Sequence, residues 1–199
     1  MKNEKQINQY LDEIKRICDE INRADIDKTI EILFDAWKNG NQVFLCGNGG
    51  SAGTATHFMC DLFKVTIVKD KKRFRAHCLN DNIPLMTALI NDDGWDNLFI
   101  EQLKNLYRKG DVILCFSVHG GSGRDKAGAW SQNLLKAMDY VKQNGGKSIG
   151  FAGFDGGAMN EVADVCIVVP FNATPHVEAF HVVLQHLIAF RLKEKIAEY

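Results

Sequence analysis

The sequence has few prolines and no long uncharged apolar run. Its 199 residues include three prolines and no low-complexity tract, so nothing marks a linker, and the length suits one domain. The first stretch, MKNEKQINQYLDEIKRICDEI, is charged and periodic, which argues against a signal peptide or a spanning helix there. We expect one cytoplasmic domain over residues 1–199, with no membrane partner.

An excess of either charge is also missing, because 24 Lys and Arg residues face 25 Asp and Glu residues. This balance gives no electrostatic reason to expect a nucleic-acid partner. The six cysteines contain no C-x-x-C pair, and Cys46, Cys115 and Cys166 lie in apolar runs, where cysteine behaves as a small hydrophobe. We expect all six to be reduced and structural.

Hydrophobic periodicity predicts two amphipathic helices, the second ending at Asn39-Gly40, followed by alternating strands and helices. The strand-like runs are QVFLCG, RFRAHCL, DVILCFS, KSIGFAG and DVCIVVPF. Nearly continuous apolar strands of this kind are typical of a parallel sheet that helices cover on both faces. We therefore predict an α/β three-layer sandwich with a parallel sheet of about five strands, formed by residues 41–199, after two helices in residues 1–40. A long last helix begins with Thr174 as its cap and Pro175 in its first turn.

Two of the predicted strands end in similar loops, VFLCGNGGSAG and VILCFSVHGGSG. In an open α/β sheet, ligands bind outside the carboxyl ends of the strands, where glycines allow backbone N–H groups to face an anion. Ser51 in the first loop, and Ser117 and Ser122 in the second, add hydroxyl groups. The two loops together predict an anion-binding site.

A nucleotide site is the rival interpretation, because Gly47-x-Gly49-x-x-Ala52 matches the dinucleotide fingerprint. That fingerprint expects an acidic residue about 20 positions later at the end of the second strand. Asp70 lies near that distance, but in a charged turn before the strand, and no Walker A lysine follows either loop. We expect no nucleotide cofactor.

Five motifs together resemble those of the sugar isomerase (SIS) domain family, and in particular its phosphoheptose isomerases. They are CGNGGSA with HF at 57–58, NDDGWDNLF, FSVHGGS, GFDGGAM and TPHVEAFHVVLQH. The resemblance implies an aldose–ketose isomerase that converts sedoheptulose 7-phosphate to a heptose 7-phosphate through an enediolate. It also implies a homotetramer. Because the two N-terminal helices are amphipathic and precede the first strand, we expect them to pack on a neighbouring subunit.

The same resemblance implies roles for individual residues. Asp61 and His186 would be the acid/base pair, and zinc would be held by His57, Asp61, Glu178 and His186. The residues that would contact the phosphorylated sugar are Asn48, Gly49, Gly50, Ser51, Asp92, Ser117, His119, Ser122, Ser131, Thr174 and Glu178. Either Ser122 or Ser131 would cap the helix that starts around Gln132.

Spacing agrees with two versions of this centre. His57 and Asp61 are four residues apart on one helix face, and Glu178 and His186 are eight apart, about 80° from each other. Such a set suits a tetrahedral zinc, or proton transfer in which Asp61 and His186 face each other across a substrate-sized gap. An alternative remains a non-catalytic phosphosugar-binding protein that acts as a sensor or oligomeric adaptor, since Asp61 stands where the isomerases usually have Glu.

Overall fold

The computed structural model describes residues 2–121 and 131–199. The helices are α1 (Glu4–Glu20), α2 (Arg23–Asn39), α3 (Gly50–Lys64), α4 (Ile83–Asp93), α5 (Leu98–Leu106), α6 (Gln132–Gln143), α7 (Gly157–Val162) and α8 (Thr174–Glu198), with a 3-10 turn at Trp95–Asn97. The strands are β1 (Gln42–Gly47), β2 (Arg75–Cys78), β3 (Val112–Phe116), β4 (Lys147–Gly153) and β5 (Val165–Val169). The two N-terminal helices and the five strands are therefore confirmed.

All five strands are parallel, in the order β2-β1-β3-β4-β5. The chain thus winds away from β1 in one direction to β2 and in the other to β3, which makes the β1–β3 boundary the switch point where such sheets bind ligands. Gly47 at the end of β1 is paired in register with Phe116 at the end of β3. The two glycine-rich loops consequently start side by side.

Alternating side chains of the strands pack into two cores, one on each face of the sheet. Val43 and Leu45 of β1 belong to the core that α1, α2, α3 and α8 cover, whereas Phe44 and Cys46 belong to the core covered by α5, α6 and α7. Helices on both faces satisfy the need of a parallel sheet to bury both sides. The predicted three-layer α/β sandwich is confirmed.

Local signals set most of the helix ends. The side chain of Asn22 accepts a hydrogen bond from the Ala24 N–H at the start of α2, and Gly40 ends that helix in the left-handed conformation (φ 72°). The prediction for α8 was wrong by one residue, because Ala173 is the N-cap and Thr174 is the first helical residue. Within the described part of the chain no side chain caps α8, and Pro175 lies in the first turn as expected.

All six cysteines are free thiols, but only four of them are buried. Burial raises the pKa of Cys46 well above its usual value and that of Cys166 to about 12, which keeps these thiols protonated. Cys18 and Cys60 are exposed, so a structural role for all six was wrong. In the part of the chain that the structure describes, no helix combines the length and apolar character needed to cross a lipid bilayer.

Candidate active site

The loop after β1 has a backbone that glycine makes possible. Gly49, the N-cap of α3, has φ 59° and ψ −127°, a backbone conformation that residues other than glycine rarely adopt. A β-carbon on Gly50 would lie 2.5 Å from Oε1 of Glu178 on α8. The loop therefore brings the N-terminus of α3 close to the start of α8.

The loop after β3 is held by Ser117, which is buried. Its Oγ accepts a hydrogen bond from the Gly121 N–H at 3.1 Å, and its own N–H donates to the Phe151 carbonyl oxygen at 2.9 Å. These bonds fold the loop back on the end of β3. The Ser117 hydroxyl proton is left for another acceptor.

The two loops enclose a cavity of about 200 Å³. Six residues that the resemblance singled out line this cavity: Asn48, Ser51, Ser117, His119, Ser131 and Glu178. They come from β1–α3, β3–α6 and α8, so distant parts of the sequence meet at the switch point. The structure thus brings most of the expected phosphosugar contacts together.

The N-cap of α6 lies within the described residues. Ser131 is the N-cap of α6, and its carbonyl oxygen accepts from the N–H groups of Leu134 and Leu135. Its side chain makes no capping hydrogen bond, and the residue lines the cavity. Ser122, the other expected serine, lies outside the described residues.

Four expected contacts among the described residues do not line the cavity: Gly49, Gly50, Asp92 and Thr174. Asp92 is exposed on α4, a helix without one buried residue, and its Oδ1 accepts from the Asn91 side chain at 2.7 Å. Thr174 is exposed in the first turn of α8. Sequence position near a motif could not show which way these helices present their polar residues.

A second group of functional side chains lies further along α3 and α8. Asp61 is buried, and its Oδ2 is 3.0 Å from Nδ1 of His186. His57 Nε2 is 3.9 Å from Oδ1 of the same carboxylate, and the two imidazole rings lie 4.9 Å apart, nearly perpendicular. The site thus joins one shielded carboxylate to two partly exposed imidazoles.

This arrangement differs from the substrate-sized gap that we expected between Asp61 and His186. Helices α3 and α8 run in the same direction and pack closely, since Gly50 meets Glu178 at one end and Asp61 meets His186 at the other. The acid and the base are therefore in direct contact. Gln185 Nε2 adds a longer contact to Asp61 Oδ2, at 3.4 Å.

The donor set of this group fits a metal ion. One ligand atom each of His57, Asp61 and His186 lies within 4.8 Å of the other two, and two imidazoles with a carboxylate are typical of a catalytic zinc site. Among the described residues Glu178 is not part of this group. Eight residues separate it from His186, about 12 Å along the helix axis, and its carboxylate lies instead beside Gly50.

Sequence reasoning missed two asparagines that hold the first loop. Asn80, just after β2, accepts from the Gly47 N–H at 3.1 Å and donates to the Gly47 carbonyl oxygen at 3.0 Å. Asn133 at the start of α6 pairs with Asn48. Their places in the sequence could have indicated this role, because both asparagines lie next to the sheet edge where the glycine-rich loops start.

Comparison with known proteins agrees with this architecture. The family model described as SIS domain matches residues 9–153. The lincomycin biosynthesis protein LmbN of Streptomyces lincolnensis is 41% identical over 162 residues, which cover 79% of this chain and 58% of LmbN. The chain thus corresponds to little more than half of that relative.

Phosphoheptose isomerases match over most of their own length. The enzyme of Aliarcobacter butzleri is 35% identical over 166 residues, which cover 82% of this chain and 81% of that protein. The solved structure of phosphoheptose isomerase GmhA from Neisseria gonorrhoeae superposes with a TM-score of 0.84 at 25% identity, covering 96% of this chain and 98% of that one. The chain therefore belongs to the SIS domain family, within the group that includes the phosphoheptose isomerases.

Proposed function

We propose that this protein is an aldose–ketose isomerase that converts sedoheptulose 7-phosphate to a heptose 7-phosphate through an enediolate. The observation that carries the proposal is the buried Asp61 carboxylate in contact with His186, on the two helices that also form the hydroxyl-lined cavity. Isomerisation needs a proton acceptor and a proton donor beside the reacting carbons and an anchor for the phosphate. The chain offers an acid/base pair and an anchor for the phosphate.

The cavity is the phosphate end of the proposed site. Ser51, Ser117 and Ser131 provide hydroxyl groups there, next to the N-terminus of α3, whose helix dipole favours an anion. His119 is a further ring-nitrogen donor on the cavity wall, and Asn48 and Glu178 would contact the sugar hydroxyls. Glycine at position 50 lets α3 approach Glu178, because a side chain there would meet the Glu178 carboxylate.

The spacing of the two ends suits a long substrate. Ser51 and Asp61 are ten residues apart on α3, which corresponds to about 15 Å along its axis. A phosphate held near Ser51 would leave room for an extended carbon chain before the reacting carbons reach Asp61. This favours a seven-carbon sugar phosphate over a triose phosphate.

Asp61 and His186 would share the proton transfers. His186 Nδ1 faces Asp61 Oδ2, which leaves Oδ1 of the carboxylate and Nε2 of the imidazole for the substrate. Asp61 would take the proton from C1 of the ketose while His186 protonates the oxygen on C2, giving the enediol. Return of a proton to C2 and loss of the proton on the C1 oxygen then complete the aldose.

Zinc is the metal that this donor set suits. In a metal-bound version of the site, the alternative to direct proton transfer, His57, Asp61 and His186 would hold the ion. A bound Zn²⁺ would there supply Lewis-acid polarisation of the sugar carbonyl. The acidic Glu178 lies near the sugar path rather than in the group of three ligands. Its role in the proposal is therefore with the sugar.

The proposed active form is a homotetramer. Ile7 and Leu11 of α1 are 47% and 52% exposed, and on α8 Val183, Leu187 and Phe190 are 48%, 47% and 57% exposed at helical spacing. A second copy covering the α8 stripe would also lie over the adjacent His186. Such a cover would exclude water from the proton transfers.

The test is turnover of sedoheptulose 7-phosphate by purified protein of measured metal content, with aldose formation as the readout. We expect His186→Ala to lower kcat by at least about 100-fold, because it removes a general acid, while thermal unfolding stays close to the parent's. His77→Ala is the matched control, since His77 packs on Phe44 outside the site and should leave kcat unchanged.

The same experiment distinguishes an isomerase from a non-catalytic phosphosugar-binding protein. Binding of sedoheptulose 7-phosphate without turnover by the parent protein would contradict the isomerase and support a phosphosugar-binding adaptor. Parent-level turnover by His186→Ala would show that the acid/base pair lies elsewhere.

A further inference from the structure

The side chains of Asn48 and Asn133 form a reciprocal amide pair. Asn48 Nδ2 donates to Asn133 Oδ1 at 3.0 Å, and Asn133 Nδ2 donates to Asn48 Oδ1 at 3.0 Å. The two residues are 85 positions apart in sequence, one in the loop after β1 and the other in the first turn of α6. The pair therefore ties the two walls of the phosphosugar cavity together.

The orientation of this pair is fixed by the backbone of α6. The Leu134 N–H is shared between the Ser131 carbonyl oxygen and Asn133 Oδ1, which lies 2.9 Å away. An N–H group can only donate, so oxygen must occupy the Oδ1 position. Asn133 Nδ2 then has to face Asn48 Oδ1, and the amide of Asn48 is oriented in turn. Burial strengthens this ordering, since Asn133 is completely inaccessible to solvent.

The amide pair uses only half of the hydrogen-bonding capacity of the Asn48 side chain. Each amide has two N–H donors and two acceptor positions on its oxygen, and the pair uses one of each. Among the bonds of residues 2–121 and 131–199, Asn48, which lines the cavity, therefore keeps one donor and one acceptor in a set order. A sugar hydroxyl can bind only where it accepts from the Asn48 N–H or donates to the Asn48 oxygen.

We propose that Asn133 is a positioning residue that orients the Asn48 amide toward the sugar of the substrate. The inference rests on the proposed function only in taking Asn48 as a sugar contact. Asn80 holds the backbone of the neighbouring Gly47 from the other side, but no contact of Asn80 reaches the Asn48 side chain among the bonds of the described residues. The orientation of that side chain is left to Asn133.

A purely structural role is the competing explanation, because Asn133 also accepts from the α6 backbone. Asn133→Asp separates the two roles. The carboxylate keeps the shape and the acceptor for Leu134, but it loses the donor that orients Asn48. A structural role predicts unchanged substrate binding, whereas a positioning role predicts weaker sugar binding.

The measurement compares two constants for the full-length protein: KM for sedoheptulose 7-phosphate and the inhibition constant for inorganic phosphate. We expect Asn133→Asp to raise KM about tenfold, the effect of one misplaced hydrogen-bonding group, and to change the phosphate constant less than about twofold. An unchanged KM overturns the proposal. An equal rise in both constants also overturns it, because the new charge would then act on the phosphate.

Gln102→Glu is the matched control. Gln102 is a buried amide that donates to the carbonyl oxygens of Leu79 and Leu98, away from the cavity, so the same chemical change there should leave KM unaffected.

A second measurement does not depend on activity or on a variant that folds. In nitrogen-15 NMR spectra of the parent protein, one side-chain N–H proton each of Asn48 and Asn133 should exchange slowly with solvent. Fast exchange of both protons in either group overturns the amide pair, while slow exchange together with absent turnover would contradict only the isomerase.

Discussion

At the scale of single residues, burial gives two histidines of one helix opposite roles. His186 on α8 is partly exposed and contacts Asp61, whereas His181, five residues earlier, is fully buried between the rings of Phe116 and Phe151. Its Nε2 lies 3.2 Å from the Ala152 carbonyl oxygen, so that nitrogen carries the proton of the neutral ring. Burial lowers the pKa of His181 from 6.5 to about 4.

This shift makes stability depend on pH. Between pH 6.5 and pH 4 the unfolded chain binds a proton at His181 that the folded chain does not, so folding weakens as the pH falls through that window. Over the whole window the loss is about 3 kcal/mol, because one pKa unit corresponds to about 1.4 kcal/mol. His181→Gln keeps a donor for Ala152 without a titrating group, and its unfolding free energy should fall less in acid than the parent's.

Urea unfolding at the two ends of this pH range provides the measurement. His77→Gln is the control for the exchange of histidine for glutamine, because His77 packs on Phe44 and not between Phe116 and Phe151. Equal acid sensitivity of His181→Gln and the parent would contradict the assignment.

At the scale of elements, the parallel packing of α3 on α8 decides the geometry of the site. The two helices meet at Gly50 and Glu178 near their N-termini, and again at Asp61 and His186. Because a helix rises about 1.5 Å per residue, the contacts also set the distance between the phosphate end and the acid/base pair. A change at the contact of Gly50 with Glu178 should therefore alter both the phosphate end of the site and the acid/base pair.

Gly50→Ala tests this coupling. The new β-carbon would lie 2.5 Å from Oε1 and 2.9 Å from Cδ of Glu178, so Glu178 or the start of α3 has to move. We expect KM for the sugar phosphate to rise at least about tenfold, since displacement of about 1 Å in a site is costly. Steady-state kinetics measure the effect.

Gly53→Ala is the matched control on the same helix. A β-carbon there would have no atom of the described residues within 4 Å, and alanine is the better helix former. This variant should therefore gain about 0.5–1 kcal/mol of stability at unchanged KM. If the two variants behaved alike, the contact between Gly50 and Glu178 would have no bearing on the site.

At the scale of the whole molecule, the distribution of exposed apolar side chains predicts association. Large side chains of α1 and α8 remain about half exposed in the single chain although they follow helical spacing. Helix α4 has no buried residue in spite of its apolar sequence IPLMTALI. Surfaces of this kind are normally covered by another protein surface, and a second copy of the chain is the partner that we propose.

Phe190→Lys should weaken the proposed tetramer, because it places a charge in the α8 stripe, where the phenylalanine is 57% exposed. Light scattering after size exclusion should give a smaller mass for this variant than for the parent at micromolar concentration. Leu106→Lys is the control, since this exposed leucine lies on α5 outside the stripe. A monomeric parent would contradict the proposed tetramer.

The sequence by itself determined the elements and their class. Continuous apolar runs require burial on both faces, so the five strands and the parallel sheet followed from neighbouring residues alone. The glycine-rich loops after β1 and β3 were also visible, because glycine and serine at a strand end signal a turn wherever the chain goes afterwards. His57 and Asp61 could be placed on one helix face from their spacing.

Only the tertiary structure decided which side chains meet. The direct contact of Asp61 with His186, the contact of Gly50 with Glu178, and the amide pair of Asn48 with Asn133 all join segments far apart in sequence. Such contacts depend on how far one helix slides along another and on which edge of the sheet a loop reaches. Those shifts are a few ångströms in size, and they follow from the packing of two whole cores rather than from any local pattern.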